Sequence, residues 1–174
     1  MRSITTRSLL PILMLTALAG ASLNVGAEQS GLQDDEQRAY LTRLKSLYLT
    51  QDERQALLAH SNALLQTYAL RAGYQVGQRE RQDVQYSLRL GAPGELLVRE
   101  QSSGGQAVAA VRNQRLSVYG VDPFVRYECP PASVRCNVLS PADGAPLLSI
   151  VRDHEGAAEL AKALSFLIRN LQKG

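Results

Sequence analysis

The two cysteines of the chain are the residues whose chemistry depends most on their spacing. Cys129 and Cys136 are separated by six residues. A thioredoxin-like redox centre has two residues between its cysteines and a helix N-terminus beside them, and a structural zinc site needs two more ligands. Two thiols that the fold of an exported chain brings together become a disulfide. We therefore predict a Cys129–Cys136 disulfide, with a free or intermolecular thiol and redox catalysis as the alternatives.

The two histidines are the candidate general bases or metal ligands. His60 lies between apolar positions in a helical pattern, and a general base there would need a nucleophile that the sequence does not identify. His154 stands between Asp153 and Glu155, where capping and solvation at a helix start explain it. Side chains adjacent along a chain rarely converge on one ion. We expect no metal site from this group.

The motifs of common catalytic sites are missing from the sequence. It has no Gly-x-Ser-x-Gly elbow, no phosphate-binding glycine loop and no His-Glu-x-x-His helix. Two acidic groups, at 34–36 and at 52–53, occupy positions where a helix start favours negative charge. We therefore expect no catalytic residue, no cofactor and no metal. The alternative is an enzyme whose residues converge only in three dimensions.

The N-terminal segment predicts export. Arg2 and Arg7 precede an apolar run, Leu9 to Ala19, and small residues follow. These three regions are typical of a secretory signal peptide. We predict cleavage after Ala27, which makes residues 1–27 the signal peptide and residues 28–174 a single exported domain.

Two other interpretations of this segment compete with cleavage after Ala27. Cleavage after Ala21 is one, and an uncleaved anchor is the other, because Leu9 to Ala27 approaches the roughly 20 apolar residues that cross a bilayer. A proline, Pro11, and polar residues such as Asn24 in the segment disfavour the anchor. We expect no stable membrane anchor after cleavage.

The charge of the exported part argues against nucleic acid as a partner. The whole chain has 19 basic and 16 acidic residues, and the signal peptide holds two of the basic ones and none of the acidic ones. Nearly balanced charge remains, so there is no strong electrostatic attraction to phosphate backbones.

Two helices are expected before the first strand. Acidic residues open the pattern at Gln33 to Leu49, and its apolar residues recur at spacings of three and four. Thr50 and Glu53 match a capping box, which predicts a second helix from Gln51. One continuous rod would bury polar residues, so an N-terminal helical hairpin is the better interpretation.

The hydrophobic period then changes to two, which is typical of half-buried strands. The Val84 to Leu90 segment shows it most clearly, and a turn is expected around Asn113. The predicted strands are Val84 to Leu90, Leu96 to Glu100, Gln106 to Val111, Leu116 to Tyr119, Phe124 to Cys129 and Leu147 to Arg152.

The cysteines also predict a strand register. If Cys129 lies opposite Cys136 in an antiparallel pair, Tyr127 faces Val138, and the residues on one side are mostly apolar. Pro130 and Pro131 end the strand because proline cannot donate to a ladder.

A last helix closes the chain. Asp153 is its predicted N-cap, and an apolar stripe follows that should dock on the sheet: Leu160, Leu164, Leu167, Ile168 and Leu171. The predicted fold is therefore α+β, with a helical hairpin, an antiparallel sheet of about five to seven strands and a C-terminal helix packed on that sheet.

Export without an assembled catalytic set predicts a small periplasmic or secreted protein of non-enzymatic type. We expect it to bind a partner, most simply another envelope or extracellular protein. The alternatives are an envelope hydrolase of unrecognised type and a secreted virulence or assembly factor.

Overall fold

A computed structural model describes residues 25–104 and 107–174, and their side chains from residue 35 onward except at 105–108. Most of the predicted signal peptide, residues 1–24, lies outside the described residues. No helix in the described ranges is long and apolar enough to cross a membrane.

The described residues form an α+β fold with three α-helices and six strands. Helices α1 and α2 come first, a 3-10 turn and the strands follow, and helix α3 ends the chain. The helices are α1 Val25–Leu47, α2 Glu53–Thr67 and α3 His154–Gln172, and the 3-10 turn is Ala72–Tyr74. The strands are β1 Asp83–Leu90, β2 Glu95–Gly104, β3 Ala107–Ser117, β4 Tyr127–Glu128, β5 Arg135–Leu139 and β6 Pro146–Val151.

The chain breaks between α1 and α2, but the predicted cap is wrong, and the predicted helical hairpin is not confirmed. Leu49 adopts a left-handed backbone conformation, with φ 50°, which ends the first helix. The N-cap of α2 is Asp52, not Thr50, and its carboxylate accepts hydrogen bonds from the amides of Arg54 at 2.8 Å and Gln55 at 3.1 Å. A carboxylate at an N-cap also interacts favourably with the helix dipole. Helix α2 therefore begins two residues later than the sequence predicts.

The six strands form two antiparallel sheets of three, in the orders β1-β2-β3 and β4-β5-β6. The prediction of one sheet of about five to seven strands is therefore not confirmed. The predicted turn at Asn113 is wrong, because β3 runs straight through this residue and Asn113 pairs with Arg99 of β2. The ladder continues on both sides of Asn113, through Arg112 and Gln114, and the Asn113 side chain stays exposed.

A short segment after α2 connects the two sheets. The Tyr68 carbonyl accepts a hydrogen bond of 2.9 Å from the Val151 amide of β6. The Leu70 carbonyl accepts one of 2.8 Å from the Val84 amide of β1. Each sheet is thereby hydrogen-bonded to the chain that leaves α2.

Helix α3 begins as predicted and supplies much of the core. The Asp153 carboxylate caps it by accepting a hydrogen bond of 2.7 Å from the Gly156 amide. All five residues of its predicted stripe are buried. They pack in one cluster with residues of α1, α2 and both sheets. The opposite face of α3 is left for the candidate site.

Candidate functional site

An open groove of about 680 Å³ lies between α1, α3 and the segment Phe124–Tyr127 that leads into β4. Its volume is in the range of known ligand sites, roughly 300–1,000 Å³. We call it the α3 groove, and its floor and walls come from three separate parts of the chain.

The floor of the α3 groove is one face of α3 itself. Ala158, Ala161 and Ser165 follow one another at spacings of three and four, so they lie on one side of the helix. Their small side chains leave the space that forms the groove. Phe166 adds an aromatic ring to the same lining.

The wall opposite α1 is the segment Phe124–Tyr127, and it is held on both sides. The Val125 amide donates a hydrogen bond of 2.9 Å to Ser165 Oγ of α3. The Arg126 carbonyl accepts one of 2.8 Å from the Leu139 amide of β5. Consecutive residues thus bond alternately to the helix and to the sheet, which fixes the wall in place.

Two aromatic rings stand at the ends of this wall, and both are exposed. Phe124 is 66% exposed and Tyr127 is 38% exposed, whereas Val125 between them is 3% exposed. A phenylalanine ring in water forgoes the favourable burial of a large apolar area. Exposed apolar side chains around a groove are typical of interaction sites.

The rim of the groove is mainly basic. Among the side chains that the structure describes, Arg126, Lys162 and Arg169 line it, together with a single acidic residue, Glu36. The Lys162 ammonium is bonded to the Glu36 carboxylate, and the Arg169 guanidinium donates 2.9 Å to the side-chain carbonyl of Gln37. The local charge of the rim is therefore more positive than the nearly balanced chain.

The two cysteines lie next to the wall. Their sulfur atoms are at disulfide-bonding distance, and their Cα atoms are 4.2 Å apart. The predicted register is confirmed, because Tyr127 pairs with Val138. Strand β4 has only two residues, so this link is a substantial part of what attaches the wall to β5.

His60 lies in a second cluster, which joins the three helices. His60 Nδ1 is 3.1 Å from the hydroxyl of Tyr48, the residue that follows α1, and His60 Nε2 is 3.0 Å from Glu159 Oε1 of α3. The Tyr40 hydroxyl donates a hydrogen bond of 2.9 Å to the same carboxylate. We call these four residues the His60 cluster. The sequence predicts that His60 lies within a helix between apolar positions, but it does not reveal these partners.

The pKa values in the His60 cluster favour one fixed pattern of charge. Burial, and then the nearby Glu159 carboxylate, raises the pKa of Tyr40 far above its ordinary value. Burial pushes the pKa of Glu159 upward, but hydrogen bonds from His60 and Tyr40 outweigh it and hold that pKa below its ordinary value. Tyr40 therefore stays a donor and Glu159 stays a carboxylate. Among the described residues, the His60 side chain hydrogen-bonds only to Tyr48 and Glu159.

The other predicted candidates do not come together. His154 is exposed at the start of α3, and Asp153 beside it is occupied as the helix cap. Within residues 25–104 and 107–174, no group of three or more histidines, cysteines or acidic residues could hold a metal ion. The acidic residues Asp52 and Glu53 cap or open α2.

The α3 groove was not predicted from the sequence. The alternating pattern of Phe124 to Cys129 places Val125 and Tyr127 on one mostly apolar face, yet the structure buries the first and exposes the second. The available signal was the row of small residues Ala158, Ala161 and Ser165 beside the apolar stripe of α3. These small residues indicate a groove only when the position of the wall beside them is known.

Comparison with protein-family models, with curated proteins and with solved structures finds no match for this chain. Its function is therefore argued from the geometry of the α3 groove and of the His60 cluster.

Proposed function

We propose that the chain is a small exported protein of non-enzymatic type that binds another envelope or extracellular protein in the α3 groove. The observation that carries the proposal is the exposed ring of Phe124 beside an apolar floor. Large aromatic side chains next to an open groove supply much of the binding energy in protein interfaces.

The shape of the groove favours a protein segment over an enclosed small molecule. Its lining on α3 extends from Ala158 to Arg169, which corresponds to about 16 Å of helix. The groove is open to solvent along this length. A site of this form accommodates several residues of a partner chain and leaves the rest of the partner outside.

The proposal includes export, with the signal peptide 1–27 removed and residues 28–174 acting as one domain in the periplasm or outside the cell. The N-terminal helical hairpin belongs to this domain. The Cys129–Cys136 disulfide belongs to the exported state, since the compartments outside the cytoplasm are oxidising. Intact mass measured with and without reduction tests all of this: a chain that begins at Glu28 and alkylates only after reduction is expected.

The binding proposal is tested by capture with matched variants. Immobilised residues 28–174 are incubated with periplasmic extract and with culture medium, beside Phe124→Ala and Tyr74→Ala. Tyr74 is the control, because it is 57% exposed but lies in the 3-10 turn and not in the groove. We expect proteins that bind the wild type and the control but not Phe124→Ala. Retention of the same proteins by all three would exclude the groove as the binding site.

An envelope hydrolase is the second candidate, and the His60 cluster is the observation that favours it. A histidine bonded to a carboxylate is the arrangement that orients a general base. Both nitrogens of His60 are occupied here by Tyr48 and Glu159, so a substrate hydroxyl or water would have to displace one of them. Turnover of an ester, amide or glycoside by the purified protein, abolished in His60→Ala, would establish this function and displace our proposal.

A further inference from the structure

Strand β4 is an edge strand whose free side faces the α3 groove. It is the terminal strand of its sheet, paired only with β5. In an antiparallel pair, residues alternate along each strand. One residue directs its backbone amide and carbonyl toward the paired strand, and the next directs both groups away from it. The Arg126 carbonyl bonds to β5 and the Val125 amide bonds to α3. By the same alternation, the amide and carbonyl of Tyr127 point away from β5, toward the side on which α3 lies.

A free strand edge beside a groove suits an extended peptide. Such a peptide adds a strand through main-chain hydrogen bonds and places alternate side chains into the groove. The groove lining includes both Tyr127 and Ala158, and the Ala158 side chain is too small to fill the space of the groove. An extended segment can therefore run along β4 with its inward side chains on the floor of α3.

The positive charge of the groove rim favours an acidic segment. Arg126 and Arg169 are both exposed, and among the described residues neither is recorded in an ion pair. The nearest acidic residue along the wall, Glu128, accepts a hydrogen bond of 3.1 Å from Asn137 of β5. An acidic segment gains from both arginines, whereas a basic one is repelled by them.

From these observations we infer that the partner binds through an extended segment in which acidic side chains flank apolar ones, added as a strand to the free edge of β4. The inference rests on the proposed function and specifies the chemistry of the partner. The acidic side chains lie against Arg126 and Arg169, and the apolar ones lie on the floor between Ala158 and Phe166.

The first test selects peptides without assuming the partner. A displayed library of random 12-residue peptides is selected on oxidised residues 28–174, with Phe124→Ala used for counter-selection. We expect enriched peptides that combine aspartate or glutamate with leucine, isoleucine or phenylalanine. Groove-dependent peptides that are neutral or basic would overturn the inference and leave the proposed function standing. Enrichment of no groove-dependent peptide would overturn both.

The second test measures the charge contribution on a synthetic copy of the most enriched peptide, by fluorescence anisotropy. We expect the double variant Arg126→Glu/Arg169→Glu to bind about tenfold more weakly, because each exposed charge contact is individually modest. The matched control is Arg99→Glu, an exposed arginine of β2 in the other sheet. Equal affinity in all three proteins would overturn the acidic part of the inference.

The third test addresses strand addition. Single N-methylation of each peptide amide removes one main-chain donor at a time. We expect a loss of about tenfold at the one amide that donates to the Tyr127 carbonyl and tolerance at its two neighbours, because only one side of an added strand faces β4. Uniform tolerance, or sensitivity at spacings of three and four, would overturn the extended conformation.

Discussion

The His60 cluster and the α3 groove share two helices, yet they are opposite in kind. In the cluster, Glu159 and His60 have the chemistry of a catalytic pair, but their hydrogen bonds are made to each other and to two tyrosines. In the groove, Phe124 and Ala158 have no reactive group, but they face open space. Reactive residue types with complete hydrogen bonding stabilise a fold. Unreactive ones with an open surface are the better candidates for function.

The two regions are also neighbours. The Lys162 ammonium, which belongs to the groove rim, lies 5.0 Å from the centre of the Tyr40 ring, and the Phe166 ring lies 5.2 Å from it. Tyr40 thus connects the cluster to the lining of the groove. We interpret the cluster as the support that keeps α1 and α3 at the separation the groove requires.

The largest expected effect comes from the disulfide beside the groove wall. Replacement of Cys129 and Cys136 by alanine opens a loop of eight residues, for which the chain-entropy model gives a loss of about 2.5 kcal/mol in the free energy of unfolding. Peptide binding should weaken as well, because β4 keeps only a two-residue pairing with β5. Urea denaturation and anisotropy measure the two effects. Unchanged binding in the destabilised variant would show that the wall holds without the link.

The His60 cluster should affect stability and not direct contact with the partner. His60→Ala removes one hydrogen bond from a half-buried carboxylate and one from Tyr48, so we expect a loss of about 2 kcal/mol in the free energy of unfolding. His154→Ala, the exposed histidine of α3, is the control and should change little. Binding by the folded fraction should remain within about twofold, since no direct contact is lost. A large loss of binding with normal stability would mean that His60 contacts the partner directly and belongs to the binding site.

Substitutions of two neighbouring wall residues, Val125 and Phe124, distinguish a role in packing from a role in binding. Val125→Ala removes two methyl groups from a side chain that is 3% exposed, so a loss of about 1–1.5 kcal/mol in stability is expected. Phe124→Ala should cost less than about 0.5 kcal/mol, as is usual for exposed positions, but should weaken binding at least about tenfold. The same two measurements on both variants provide the check. A stability loss in Phe124→Ala as large as in Val125→Ala would mean that this ring packs in the fold instead of serving a partner.

Local patterns predicted the elements whose hydrogen bonds and burial are decided within a few residues. The alternation at Val84 to Leu90 located β1, and the Asp153 cap with the stripe behind it located α3. The pattern misled where two signals competed locally. Thr50 and Asp52 are both good caps, and the carboxylate prevailed; Asn113 favours turns, but pairing with β2 kept it in a strand.

The candidate site could not be predicted because it is made of contacts distant in sequence. The Val125 amide bonds to Ser165, forty residues later, and the Lys162 ammonium of the rim bonds to Glu36 of α1, 126 residues earlier. Likewise His60 and Glu159 are 99 residues apart. Spacing along the chain carries no information about such pairs when no related sequences constrain them.

The smallest expected effect is the pH dependence that Glu159 gives to stability. Hydrogen bonds from His60 and Tyr40 outweigh burial and hold the pKa of this carboxyl below its ordinary value in the folded chain. The unfolded chain therefore binds the proton first as pH falls, so the stabilisation is present above the ordinary pKa near 4.5 and is lost as pH falls through the lower folded value. Glu159→Gln removes this contribution, so its stability difference from the wild type should shrink between about pH 5 and pH 3. Glu155→Gln, an exposed carboxyl one turn earlier on α3, is the matched control in urea denaturation across that range. A difference that stays constant down to pH 3 would mean that the carboxylate is not what the cluster stabilises, and the packing of Tyr40 against Phe166 would then be the cluster's contribution to the spacing of α1 and α3.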